Sequence, residues 1–454
     1  MPETVIEQDF SNKRFDEIQH ALNSGMFVQV RQLLMDMPAC DVALLLESSP
    51  YKSRQVLWQL VDHDDQGDIL EELSEDVKKS IIKEMQADQL AAATEGMDTD
   101  DLTDVLRTLP DSVYLEVLGA MDTQDRSRVE AAMAYNEDTA GSIMNTDTVT
   151  LRPDVNLDVV MRYLRLKGDL PKATDMLYVV NKDDKLLGGV TLSALIVNDP
   201  IMIVSNIMDR TIETLPADMD EAEVAQQFER HDWVSAPVVD DAGKLLGRIT
   251  IDDVVDIIRE EAEHSMMSLA GLDDEEDTFA PVIKSTRKRS IWLGINLLTA
   301  LAAVAVSNMF EPILAQMAIL AILNTLVPSM GGIAGNQTLT LIIRGMALGH
   351  INDRNKRWLI GKELAIGALN GLLWAVILSV VVGLWQQDVK LGLVIAFAML
   401  ANMTAAGLAG VLIPLTLKRF KIDPALAGGV VLTTITDVVG IFAFLGTATL
   451  AYSM

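Results

Sequence analysis

The sequence predicts a multidomain chain: an all-α solenoid N domain, a duplicated α/β unit, and a polytopic α-helical membrane domain with five transmembrane helices. Three observations point there. Charge divides sharply near residue 280 of 454, the rear part holds five long uncharged runs, and the front part holds two repeats of different period. Residues 281–454 carry 13 basic and six acidic side chains, a net +7, whereas residues 1–280 carry 23 basic and 59 acidic ones, a net −36. The overall −29 is therefore an acidic front joined to an apolar, mildly basic rear. Phosphate contacts need clustered Lys and Arg, so nucleic acid is excluded as a partner of the front half. Cations are its natural partner. A single cysteine, Cys40, excludes an internal disulfide, and the five scattered histidines disfavour zinc. The polar, acidic amino terminus has no signal-peptide pattern, so the front half reads as cytosolic.

Residues 1–140 read as the acidic helical domain. From about residue 28, apolar pairs with a third apolar residue three positions on recur about every 12 residues: Val56-Leu57/Leu60, Ile69-Leu70/Leu73, Ile81-Ile82/Met85, Val105-Leu106/Leu109 and Val117-Leu118/Met121. That spacing is helical, and Pro, Asp and Gly punctuate it, so short antiparallel helices stack as a solenoid. Acids gather at its turns, among them Asp98, Asp100, Asp101 and Asp104. Such runs are usually solvated faces.

Residues 141–204 and 205–262 repeat one another. Ser142-Ile-Met-Asn matches Asn206-Ile-Met-Asp, and Asp184-Lys-Leu-Leu-Gly188 matches Gly243-Lys-Leu-Leu-Gly247. Each copy reads β-α-β-turn-β-α. The pattern resembles a pair of cystathionine-β-synthase-type (CBS) domains, which implies an adenine nucleotide such as ATP or an ion as ligand. Thr250-x-x-Asp253 resembles the ribose-binding Thr-x-x-Asp of such domains; the first copy has Ala194 in place of the acid, so one such site at most is intact.

An acidic connecting helix is expected to start near 251 and run to about 277, with 263–289 as connecting helix and linker. Asp253, Asp256, Glu260 and Glu263 share one face at i, i+3, i+4 spacing, ahead of Asp273-Asp-Glu-Glu-Asp277. Like charges there repel, and a bound dication would relieve them; a solvated linker is the plain alternative.

The membrane domain, 290–454, is read from uncharged runs long enough for a hydrocarbon core of about 30 Å. Helices are expected at about 290–310, 314–343, 362–385, 391–417 and 426–452. With the front half inside, the inner loops hold 12 basic residues and the outer segments only Lys390. That asymmetry orients a multi-pass protein of the plasma (inner) membrane with a cytoplasmic amino terminus and an outside carboxyl terminus. Asn296, Asn370 and Asn402 read mainly as interhelical hydrogen-bond partners, and Gly367-x-x-x-Gly371 as close packing. Pro328, Gly331, Gly332 and Gly335 are expected to loosen the second helix ahead of Asn336 and Gln337. Asp437 stands apart. It lies about 20 Å along the last helix, beside Thr434 and Thr436, and no basic residue in any apolar run can pair with it. A lone carboxylate there costs at least about 2.5 kcal/mol, so it should face a hydrated path or a cation. All these ligands are oxygens, which suits Mg²⁺ with its waters retained.

Taken in order, Tyr135-x-x-x-Thr139-Ala-Gly-Ser-Ile-Met144, Gly331-Gly-x-x-Gly335-Asn-Gln337, Asp423-Pro-Ala-Leu426 and Thr434-x-x-Asp437-x-x-Gly440 make the whole chain resemble the MgtE family of magnesium transporters. The resemblance implies a homodimer with a pore on its two-fold axis and hydrated Mg²⁺ held by Asp437. It also implies feedback closure, in which Mg²⁺ bridges Asp220, Asp232, Asp253, Asp256 and Glu261 with one of Asp98, Asp100, Asp101 and Asp104. Ile333 and Gly429 depart from the family's Asn near the gate. The alternative is a membrane-anchored CBS nucleotide or metal sensor without transport. An enzyme is disfavoured, because no nucleophile–base or catalytic metal constellation is legible.

Overall fold

The computed structural model describes residues 3–94, 97–109, 111–121, 123–168, 170–272, 277–352 and 354–452. Two compact units emerge: residues 1–262 with 275–281, and residues 263–274 with 282–454. Residues 273–276 of the expected acidic run lie outside the described residues.

In the first unit, short helices follow the twelve-residue period. They include Phe27–Met35, Tyr51–Leu60, Gln66–Glu72, Glu75–Ile82, Thr99–Arg107, Asp111–Ala120 and Thr123–Ala132. The repeated apolar pairs form one core: Leu34, Leu57, Ile69, Leu70, Ile81, Ile82, Val105, Leu106, Val117, Leu118 and Val129 are all buried in it. A further helix, Glu3–Asn23, gave no repeat signal; it adds Ile18 and Ala21 to that core. Arg54 is 1% exposed and donates to Leu46 O at 2.9 Å and to Asp277 Oδ2 at 2.8 Å. A buried guanidinium thus holds the 277–281 segment against the helical domain.

The two α/β copies each form a three-stranded sheet: Thr150–Leu151, Met176–Val180 and Leu186–Thr191, then Leu215–Pro216, Ser235–Val239 and Leu245–Thr250. In each, the first two strands are parallel around a crossover helix, Leu157–Lys167 or Glu221–His231, and the last two are an antiparallel hairpin. Asp184 and Gly243 take positive φ at matching hairpin turns, and the turns pair with each other through Leu186 N–Gly243 O and Leu245 N–Asp184 O, both 3.0 Å. The duplicated Ile-Met motifs are exchanged: Asn145 pairs with Arg248 of the second copy, and Asp209 pairs with Gly189 of the first. Each copy therefore completes its neighbour's sheet edge.

The connecting helix is shorter than expected, Ile251–Leu269. Gly271 adopts φ +70°, and Leu272 N bonds back to Met267 O at 2.9 Å, a left-handed stop that the acidic pattern concealed.

The second unit contains five helices long and apolar enough to cross a membrane. The first is Val282–Asn308, eight residues earlier at its start than the uncharged run suggested, because the helix continues through Lys284 and Arg287–Arg289. The others are Ala318–Ala347, which has a turn at Asn324 and Thr325, then Lys356–Gln386, Val389–Arg419 and Pro424–Tyr452. The expected second helix is broken differently from the reading at 314–343. Short pieces Glu311–Gln316 and Ala318–Leu323 precede Leu326–Ala347, which stays helical through all three glycines. Pro328 falls in that helix's first turn, where amide N–H groups have no intrahelical acceptor to lose. It starts the helix rather than loosening it.

Close packing at Gly367 is confirmed: a Cβ there would stand 2.7 Å from Met403 O, and one at Gly407 would stand 2.8 Å from Glu363 O. The third and fourth membrane helices meet backbone to backbone. Asn402 also behaves as read, donating to Val327 O at 2.8 Å. Asn296 and Asn370 instead lie exposed on the single chain.

Candidate functional sites

In the first unit the acids converge. A cleft of about 620 Å³ is lined by Asp98, Asp100, Asp101 and Asp104 of the helical domain and by Asp252, Asp253, Asp256 and Glu260 at the start of the connecting helix. Glu71 and Glu221 join them, and sequence reasoning missed both as site residues. The strand ending at Thr250 delivers Asp253, whose Oδ2 accepts from Thr250 N at 3.0 Å and Thr250 Oγ1 at 2.8 Å. The Thr250/Asp253 pair thus exists as one hydrogen-bonded unit. In the first copy Thr191 Oγ1 has no such acid: it accepts from Ala194 N at 3.2 Å and shares a hydrogen bond with Ser193 Oγ at 3.0 Å.

Burial, and then the charge of Asp253, holds Asp100 well above the usual carboxylate range. Burial likewise pushes Asp101 up to about 7, Asp104 to about 6 and Asp253 to about 6. Glu221 rises to about 7 by burial, with Asp138, Glu260 and Asp220 adding to it. Asp100 stands close enough to Asp253 for a proton on either carboxyl to be shared between them, while Asp100 Oδ1 is buried without a hydrogen-bond partner among the described residues. A proton here does what a cation could do. Six bases also line the cleft, yet they are engaged: Lys172 pairs with Glu71 at 2.9 Å, Lys79 with Glu75 at 2.7 Å and Arg259 with Asp256 at 3.7 Å, and Arg107 donates to Tyr135 O at 3.2 Å. Arg248 donates to the carbonyls of Lys172 and Ala173, and Lys78 stands by Asp101 and Asp104. Among the described residues, no three His, Cys, Asp or Glu side chains stand close enough to hold a metal ion directly. The acids are gathered without being drawn into a closed shell.

The other expected acids lie elsewhere. Asp220 and Asp232 cap opposite ends of the Glu221–His231 helix, about 18 Å apart along its axis. Both are exposed, as is Glu261. None of the three lines the cleft.

In the second unit Asp437 is half-buried, with no ion pair or hydrogen bond among the described residues. The hydroxyls beside it donate along their own helix. Thr434 Oγ1 donates to Val430 O at 2.7 Å and Thr436 Oγ1 to Thr433 O at 3.0 Å, with Thr436 fully buried. Only their lone pairs remain for a ligand. Gly332 faces Thr436, at 3.8 Å from an added Cβ, and Asn336 is one turn along that face. Gly331 is buried, whereas Asn336 and Gln337 are exposed on the single chain. Glu363, taken only as the end of an uncharged run, is 3% exposed and accepts from Thr338 Oγ1 at 3.1 Å. No sequence signal distinguished it from a boundary charge.

A family model described as a divalent cation transporter, MgtE, matches residues 324–447; the MgtE intracellular N domain matches 37–138, and the CBS domain matches 140–198 and 204–260. The magnesium transporter MgtE of Thermus thermophilus is 30% identical over 438 residues, covering 95% of this chain and 97% of that protein. The chain belongs to the MgtE family of magnesium transporters. The MgtE of Enterococcus faecalis is 29% identical over 440 residues, covering 96% and 97% respectively. A solved cytosolic domain of the Mg²⁺ channel MgtE in complex with ATP is 29% identical, with a TM-score of 0.50 over 54% of this chain and 99% of its own. Membership in MgtE and five apolar helices make this a multi-pass membrane protein whose family transports Mg²⁺.

Proposed function

We propose that the chain conducts hydrated Mg²⁺ through a path past Asp437 and that Mg²⁺ bound in the acidic cleft closes it. The observation that carries this reading is the half-buried, unpaired Asp437 on the last membrane helix. An acid at that depth with no basic partner is stabilised by water or a passing cation. Because Asp437 is only half-buried and Asn336 and Gln337 are exposed on one chain, a homodimer with the path on its axis is the natural completion. The basic inner loops support a cytoplasmic amino terminus, an outside carboxyl terminus and the inner membrane.

Closure follows from linkage. A ligand shifts an equilibrium only by its differential affinity for the two states. At low Mg²⁺ the crowded acids of the cleft repel or hold protons; at high Mg²⁺ the ion draws Asp253 and Asp256 toward Asp98, Asp100, Asp101 and Asp104. Exposed Asp220, Asp232 and Glu261 are then available to bridge to a second copy. ATP is proposed at the Thr250/Asp253 unit, the copy with its acid intact.

Ion flux into proteoliposomes tests the whole reading. Asp437→Ala should cut Mg²⁺ flux about tenfold or more in protein that folds normally; wild-type flux would sink the path. Neutralising Asp253, Asp256 and Glu261 together should make flux less sensitive to inside Mg²⁺, and unchanged inhibition rejects the sensor. A wild-type chain that carries no ion would be the membrane-anchored sensor instead.

A further inference from the structure

Asn402 sits at the junction of three membrane helices. It is 0% exposed on the fourth helix, and its Nδ2 donates to Val327 O at 2.8 Å, one residue before Pro328 on the second. A Cβ at Gly331 would stand 2.2 Å from that same Nδ2, and one at Gly440 of the last helix would stand 2.9 Å from it. The amide is therefore clamped between two glycines and cannot swing from one without meeting the other. Its Oδ1 is buried and meets no donor among the described residues. A core selected only for stability would fill this place with an apolar side chain, because an unpaired buried acceptor is costly. Gly440 follows Asp437 by one helical turn.

We infer that Asn402 is a positioning residue that sets the spacing between the second and last membrane helices at the level of Asp437, and so the width of the ion path there. The amide is a spacer with one hook: its bulk occupies the two glycine notches, and its N–H fixes the start of the second helix. Path width matters for choice of ion. Mg²⁺ holds its waters tightly at about 2.0–2.1 Å, whereas Ca²⁺ accepts longer, more variable coordination and sheds water readily. The inference rests on the assignment of Asp437 to the path.

Two measurements on the full chain in proteoliposomes test it. Asn402→Leu keeps the bulk, removes the orphaned acceptor and deletes the hook. Its melting temperature in detergent should hold or rise, while the Mg²⁺ to Ca²⁺ flux ratio should change about threefold or more, as for a site left about 1 Å too loose. An unchanged ratio in folded protein overturns the inference, since a purely structural Asn would leave the ratio alone. Gly331→Ala should lower flux about tenfold or more, as an overpacked contact, and adding Asn402→Ala should restore most of it. No rescue, or no loss in Gly331→Ala, likewise overturns the spacer; rescue supports it even if Asn402→Leu does not fold. Asp437→Asn in the same liposomes separates the two assignments. Wild-type flux in that variant removes Asp437 from the path, while the Gly331 and Asn402 pair still reports on helix spacing.

Discussion

Asp100 and Asp253 show what the acidic front half does with its charge. Their carboxyls, with those of Asp101, Asp104 and Glu221, are held above the usual range chiefly by burial. A carboxyl raised in the native state binds more protons there than in the unfolded chain, so stability is full below the unfolded value and falls as pH rises through the native one. Without divalent ions, the thermal stability of the first unit should therefore drop between about pH 4 and pH 7. Mg²⁺ should flatten that slope, and its affinity should weaken toward pH 6 as protons compete. Calorimetry across this range checks both; a stability that rises with pH would reject the burial of these acids. Asp98 to Asp104 were legible as a cluster because they stand close in sequence. Glu71 and Glu221 were not, because only the fold brings distant turns to one cleft. Asp220 and Asp232 carried a family role, yet their helix holds them apart.

Glycines decide how the membrane helices meet. Gly407 has Glu363 O at 2.8 Å from an added Cβ, while Gly429 has nothing within 4 Å. Gly407→Ala should lower stability by about 1–3 kcal/mol through overpacking. Gly429→Ala should be neutral or gain up to about 1 kcal/mol from helix propensity. Thermal unfolding in detergent distinguishes them, and equal effects would contradict the packing. The departure from Asn at Gly429 thus meets no neighbour in the single chain. Helix existence was legible throughout the rear half, since five uncharged runs leave few alternatives. Helix ends were less so. Charge marked where the apolar run ended, but backbone hydrogen bonding carried the first helix through Lys284 and Arg287–Arg289. Pro328 was misread for a related reason: a proline's effect depends on its distance from the helix start, which composition does not show.

At the scale of the molecule, the division of charge by halves survives as a division into two compact units. Within the first unit the 277–281 segment is tied to the helical domain by Arg54 with Asp277, 1% and 14% exposed at their side chains. Asp277→Asn should cost about 2 kcal/mol, the scale of a hydrogen bond to a charged group, because Arg54 keeps its carbonyl acceptors while losing its counter-charge. Melting of the full chain followed at the transition of the first unit checks this; no shift would mean that the 277–281 segment is not held. Nothing in the sequence marked Arg54, a lone base in a helical repeat, as the partner of an acid 223 positions away.

The exchanged Ile-Met segments carry a consequence for synthesis. Domains generally fold as units as the chain emerges, amino end first. Here the first α/β copy lacks its Asp209 edge until the second begins, and the second closes only around Asn145, made long before. With Asp277 as the last stitch to Arg54, the first unit is finished only once Asp277 has left the ribosome, with Val282 close behind it. The acidic half is thus completed at the moment the first membrane helix must be handed to the bilayer.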